Sequence, residues 1–145
     1  MQVLGRQPGT QVFRGVDDHP DYETYPGLLV LRFDAGLFFA SADALEERLV
    51  KLYYEADPKP QTVVLDFEGV NFIDSQGADK VAELIELATA RDIELRLARV
   101  KTEVKDLLQR DGVIDRLGES RIYGNVYEAA ADRIPDGPVA LAGSD

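Results

Sequence analysis

Residues Thr62 to Phe67, Thr-Val-Val-Leu-Asp-Phe, limit the folds open to this chain more than any other stretch. The run is β-branched and apolar, and Pro60 and Gly69 bound it. A run that does not alternate with polar residues suits a strand covered on both faces, as at the centre of a parallel sheet. The flanking sequence keeps to that scheme. Leu28 to Phe33 is a second short apolar run, and Leu37 to Phe39 reads as a third, very short one. Ser41 suits a helix N-cap, and Leu45, Leu49, Leu52 and Tyr53 fall on one face of the helix it opens, before Pro58 and Pro60 break the chain.

Downstream of the central run, Asp74 or Ser75 caps a second helix. Its expected buried face is Ala78, Val81, Ala82, Ile85 and Ala88, with Asp79, Lys80, Glu83 and Glu86 on the wet side. Ile93, Leu95 and Leu97 alternate with Glu94 and Arg96, which predicts a strand with one polar face. Thr102 opens a third helix with Val104, Leu107 and Leu108 inward and Gly112 just past its end. Ile122 and Tyr123 suit a last short strand, and Asn125 with Glu128 resembles a capping box opening a fourth helix through Arg133. Alternating strands and helices imply an α/β domain with a mainly parallel sheet and right-handed crossovers. Val12 and Phe13, or Leu28 to Phe33, are expected to pair antiparallel at the early end. Gln2 to Thr10, Asp17 to Pro26 and the tail from Pro135 read as flexible.

A length of 145 residues is one domain's worth of chain. Sixteen Lys and Arg against 27 Asp and Glu leave a formal net charge of −11. That balance argues against gripping a nucleic-acid backbone or an anionic lipid surface. With no cysteine there is no disulfide, thiolate metal site or cysteine nucleophile. One histidine, His19, in a loop before Pro20, leaves little for a His-based zinc site or a Ser-His-Asp triad. The longest apolar stretches, Leu28 to Leu31 and Leu37 to Ala40, fall far short of the roughly 20 residues of a spanning helix. Met1 to Thr10 has no apolar core of a signal peptide, so this chain is expected to be soluble and cytoplasmic.

The central run is followed by Gly69-Val70-Asn71-Phe72-Ile73-Asp74-Ser75-Gln76-Gly77, which opens a helix. This order resembles the STAS domain, shared by bacterial anti-sigma-factor antagonists and the cytoplasmic C-terminal part of SulP-type anion transporters. Asp74, Ser75 and Gly77 carry its Asp-Ser-x-Gly signature. The resemblance covers Val12 to Ile134 and implies the STAS (SpoIIAA-like) α/β fold, with four to five mostly parallel strands and about four helices. Leu4 to Thr10 resembles the link that SulP transporters place after their last membrane helix. Pro26 to Ala35, with Leu37 to Ala42, is similar to their first lobe. On this resemblance, residues 1–11 are a linker from a membrane domain, 12–134 the STAS domain and 135–145 a flexible tail. The chain is then either an excised domain or a free-standing relative.

The resemblance implies a non-catalytic regulatory and interaction domain of a sulfate or related anion transporter, placed at the cytoplasmic face of the membrane. Its partners would be the transmembrane part of the same transporter, a second copy as a homodimer, and a kinase. The runner-up is a stand-alone anti-sigma-factor antagonist switched by phosphorylation of Ser75. Asp74, Ser75, Gln76 and Gly77 form the expected regulatory loop. Ser75, Gln76 and Gly77 are the candidate contacts for a weakly held anion or nucleotide phosphate, although neither GxxxxGK[ST] nor GxGxxG is present. The bland reading of the loop is a helix cap with a close-packed glycine.

Phe38, Phe39, Phe67 and Phe72 are expected in the core, with part of Leu37 to Ala40 as an alternative apolar contact surface. The acid pairs Asp17/Asp18, Glu46/Glu47 and Asp132/Asp136 read as solvated surface, and no acid spacing matches an EF-hand loop. No cofactor, metal or catalytic residue is expected. Lys101, Lys105 and Arg110 with Arg96 and Arg99 form the one locally basic stretch, where an acidic carrier protein could dock.

Overall fold

The structure, a computed structural model, describes residues 1–135. Six strands form one sheet: β1 (Gln2–Arg6), β2 (Phe13–Gly15), β3 (Leu28–Arg32), β4 (Thr62–Asp66), β5 (Glu94–Ala98) and β6 (Ile122–Tyr123). Their spatial order is β2-β1-β3-β4-β5-β6. β3, β4, β5 and β6 run parallel, while β1 pairs antiparallel with both β2 and β3. All five residues of β4 are buried, with the apolar Val63 to Leu65 at its centre as a central strand requires.

The crossovers are α1 (Phe39–Glu55), α2 (Ser75–Ala90), and α3 (Thr102–Arg110) with the short α4 (Val113–Leu117). They cover one face of the sheet, where Leu31, Val63, Leu65, Leu95 and Leu97 meet Leu45, Val81 and Leu108. The opposite face carries Val30, Val64 and Ala98 and is covered by the five-residue α5 (Val126–Ala130) through Val126 and Ala129. Gly112, at φ 79°, reverses the chain between α3 and α4 in a conformation that favours glycine.

The α/β class and the mostly parallel sheet stand, and two segments read as flexible do not. Gln2 to Arg6 is a strand, so the ordered unit starts well before Val12. Arg6 is buried there, with its Nε–H donating to the Tyr25 hydroxyl at 2.7 Å and its guanidinium 3.6 Å from Glu23. The Asp17 to Pro26 loop is irregular but pinned, because Arg6 and Glu23 exchange both backbone hydrogen bonds at 2.8 Å. The tail beyond Pro135, including Asp136, lies outside the described residues.

Helix α1 starts three residues before the expected point. Ser41 is its third helical residue, not its cap, and its hydroxyl accepts the Phe38 N–H at 3.0 Å while donating to the Gly36 carbonyl at 2.5 Å. Phe39 therefore belongs to a helix and not to a short strand. What remains of the expected strand is one parallel bridge, Leu37 to Ile73.

Candidate functional site

β4 ends at Asp66, and the chain turns inward at Phe67, whose N–H donates to the Ala98 carbonyl at 2.9 Å. It then comes back beside the segment that precedes α1. The Leu37 N–H donates to the Phe72 carbonyl at 2.8 Å, and the Asp74 N–H donates to the Leu37 carbonyl at 3.2 Å. Two helix starts are thereby tied together at one corner of the molecule.

Asp74 is the N-cap of α2, and its carboxylate accepts the Gly77 N–H at 2.8 Å. Gly77 is the point of closest approach. A Cβ there would lie 2.0 Å from the Leu37 carbonyl oxygen, so no side chain fits without moving the backbone of the neighbouring segment. Ser75 and Gln76 are exposed between these two fixed residues. Their amides are the first two of the helix, where the chain offers donors and the positive end of the dipole. The Ser75 hydroxyl has no hydrogen-bond partner among the described residues. The four expected residues thus share one corner but differ in role. Asp74 and Gly77 fix its shape, and the Gly77 amide is already taken. Ser75 and Gln76 present its chemistry.

Three of the four phenylalanines assigned to the core are surface residues. Phe67 is fully buried, but Phe38, Phe39 and Phe72 are 46%, 55% and 53% exposed. The Phe38 and Phe72 rings lie 5.3 Å apart. Phe38 precedes α1, so its side chain leaves outward, while Leu37 takes the inward place at 0% exposure.

Lys80, assigned to the wet face of α2, is 6% exposed. Its ammonium lies 2.9 Å from Glu83, 3.1 Å from Asp43 and 3.4 Å from Glu46, joining α2 to α1. The Glu83 carboxylate first, then Asp43, holds its pKa well above the ordinary lysine value. Arg96, expected on a solvated strand face, is 3% exposed beneath α5. Its guanidinium binds Asp132 at 2.6 Å and 3.1 Å, Glu94 at 2.6 Å and the Ala129 carbonyl at 2.8 Å. The pair with Asp132 raises the arginine's pKa and lowers the aspartate's.

The expected basic stretch does not form one surface. Arg96 is inside. Arg99 binds the fully buried Asp66 at 2.6 Å and 3.1 Å, an ion pair that holds the arginine's pKa up. Lys101 donates to the Glu68 carbonyl, Lys105 to Glu119 at 2.7 Å, and Arg110 lies 3.8 Å from Asp111. Each cation has its own acceptor, which removes the patch on which docking of an acidic carrier protein was expected. Among the described residues no helix is long and apolar enough to cross a membrane.

The sequence profile of the STAS domain matches residues 19–129. The chain belongs to the STAS domain family. The high affinity sulfate transporter 2 of Stylosanthes hamata is 28% identical over 137 residues, which are 89% of this chain and 21% of that protein. This STAS domain therefore spans about a fifth of the length of the curated relatives it matches. A sulfate transporter family protein of known structure from Wolinella succinogenes is 27% identical. It superposes with a TM-score of 0.64 over 76% of this chain and 88% of that one. The murine anion transporter Slc26a9 shares the fold with a TM-score of 0.79 at 17% identity, over 89% of this chain and 21% of that one. The STAS domain is thus homologous to a portion of SulP-type transporters, and the corner at Asp74 to Gly77 lies within the matched residues.

Proposed function

We propose that this STAS domain is the non-catalytic regulatory and interaction module of a SulP-type sulfate or related anion transporter, held at the cytoplasmic face of the membrane. One observation carries the reading: 89% of the chain aligns with only 21% of a sulfate transporter. The Asp74 to Gly77 corner supports an interaction role. It is rigid, because a cap and a close backbone contact fix it, and it is open, because Ser75, Gln76 and the phenylalanines around it face solvent. Antibody against this chain tests the reading by immunoblot of fractionated native cells. A membrane-bound band of roughly five times 16.0 kDa is expected from the share of the transporter aligned. A soluble 16.0 kDa band would overturn it.

The exposed Ser75 hydroxyl, at a helix start that tolerates an added phosphate, favours a second reading as an anti-sigma-factor antagonist switched by phosphorylation. A soluble native protein bearing a phosphate mass on Ser75 would support it over the first. Native protein without that mass, and no transfer by kinases of the same cell, would remove it.

A further inference from the structure

Phe38, Phe39 and Phe72 stand exposed on backbone that is firmly held. The Ser41 hydroxyl fixes the turn at Phe38, and the Leu37 amide fixes the carbonyl of Phe72. Large aromatic side chains grouped on the surface of a small domain mark a contact site, since each offers on the order of 150–250 Å² to bury. The patch continues from Phe72 into an open groove of about 480 Å³ along α3, floored by Val104 and Leu107.

Both flanks of this apolar strip are acidic. On the α1 and α2 side the Lys80 ammonium lies 5.5 Å from the centre of the Phe39 ring. It is held by Asp43, Glu46 and Glu83, three carboxylates against one cation, which leaves an excess of negative charge there. On the groove side, Glu103 and Asp106 line the groove with one cation, Arg110. The whole chain adds its field of −11. A second copy brought face to face would set like charges together, and an anionic lipid surface would be repelled for the same reason. The complementary occupant is a polypeptide segment with apolar anchors and flanking Lys and Arg. Segments of that composition are what membrane proteins place next to their spans on the cytoplasmic side.

Resting on the transporter reading above, we propose that Phe38, Phe39 and Phe72 seat a Lys/Arg-rich juxtamembrane segment of the transporter's membrane part, with the acids on both flanks binding its cations.

The test titrates the 145-residue chain with a synthetic amphipathic peptide of Leu, Phe and Lys, and with its Glu-for-Lys counterpart, by calorimetry and amide chemical shifts. The Lys peptide is expected to bind, with shifts centred on Phe38, Phe39, Phe72 and Ser75, and the Glu peptide not to. Affinity should fall about tenfold between about 50 mM and about 200 mM salt as the Debye length shortens. It should fall at least tenfold in F38S/F39S/F72S. F72S alone leaves the Lys80 to Phe39 contact intact and should show a smaller loss with the parent's melting curve. Equal binding by the parent and by an F72S variant that melts normally would show charge alone at work and overturn the proposal. Dimerisation of the parent that the serine variants abolish, seen by sedimentation, would also overturn it in favour of a second copy. These outcomes are separate from the immunoblot: a soluble 16.0 kDa native protein removes the membrane part as the source, whereas the titration judges the surface itself.

Discussion

Gly77 and Ser75 sit two residues apart on the first turn of α2 and make opposite demands on substitution. A Cβ at Gly77 would collide with the Leu37 carbonyl at 2.0 Å, and that carbonyl also accepts the Asp74 N–H. Two segments would have to part for the methyl to fit. Gly77→Ala is therefore expected to destabilise the domain by about 1–3 kcal/mol, the range for overpacking a closed site, and to loosen the corner it leaves folded. Ser75→Ala removes an exposed hydroxyl with no partner among the described residues and should stay within about 0.5 kcal/mol of the parent. Urea unfolding of both variants checks the pair. A Gly77→Ala midpoint equal to that of Ser75→Ala would mean that the tie between the two helix starts yields freely.

At the scale of elements, two of the buried cations, Lys80 and Arg96, fasten helices to their neighbours, and the second brings a pH dependence with it. Arg96 on β5 holds Asp132, just past α5, and that contact depresses the Asp132 pKa in the folded state. A depressed carboxyl stabilises the fold fully above its unfolded value, about 3.9, and the contribution fades as pH falls through the folded value. Asp132→Asn should therefore lower stability near pH 7 by about 1 kcal/mol, small because the Asp132 side chain is 58% exposed and Glu94 still serves Arg96. The gap between parent and variant should close below about pH 4. Chemical denaturation across that range measures it, and a gap that persists in acid would assign the loss to packing and not to charge.

The same elements show why parts of the fold were legible in the sequence and others were not. The central strand announced itself because both its neighbours are strands and both its faces are covered, so no residue of it had to be polar. α2 was legible from its cap and its apolar spacing, both local signals. Periodicity places Lys80 and Arg96 in solvent because the partners that bind them from other elements, Asp43 and Asp132, lie 37 and 36 residues away. β1 was hidden by its glycine and arginine. Its Arg6 is buried where Tyr25 and Glu23 return to it from the loop. α4 is a five-residue helix, too short for a periodic signal. Leu-Phe-Phe reads first as a strand core and only second as a contact surface, whereas the hydroxyl of Ser41 starts a helix one residue after Phe38 and leaves both rings exposed. Asp74 caps α2 as the local signal indicates, but the rigidity of the Asp74 to Gly77 corner comes from the Leu37 backbone, which no local pattern indicates.

For the whole molecule, two electrostatic effects of opposite sign compete. The buried or half-buried ion pairs at Lys80, Arg96 and Asp66 stabilise the fold over short distances. The formal charge of −11 on one small domain destabilises it through repulsion over longer ones. Salt separates the two by distance. At about 0.15 M the Debye length is about 8 Å, longer than any of these ion-pair contacts, and charges further apart than that are largely screened from one another. Added salt should thus relieve the repulsion while sparing the pairs under α5 and between α1 and α2. The melting temperature of the chain at pH 7 is expected to rise by about 3 °C between about 10 mM and about 150 mM sodium chloride, corresponding to roughly 1 kcal/mol for a domain of this size. Scanning calorimetry decides the sign. A fall with salt would mean that exposed ion pairs, not the excess of acid, dominate the field of the surface, and the acidic flanks of the phenylalanine patch would then lose the long-range attraction argued for them.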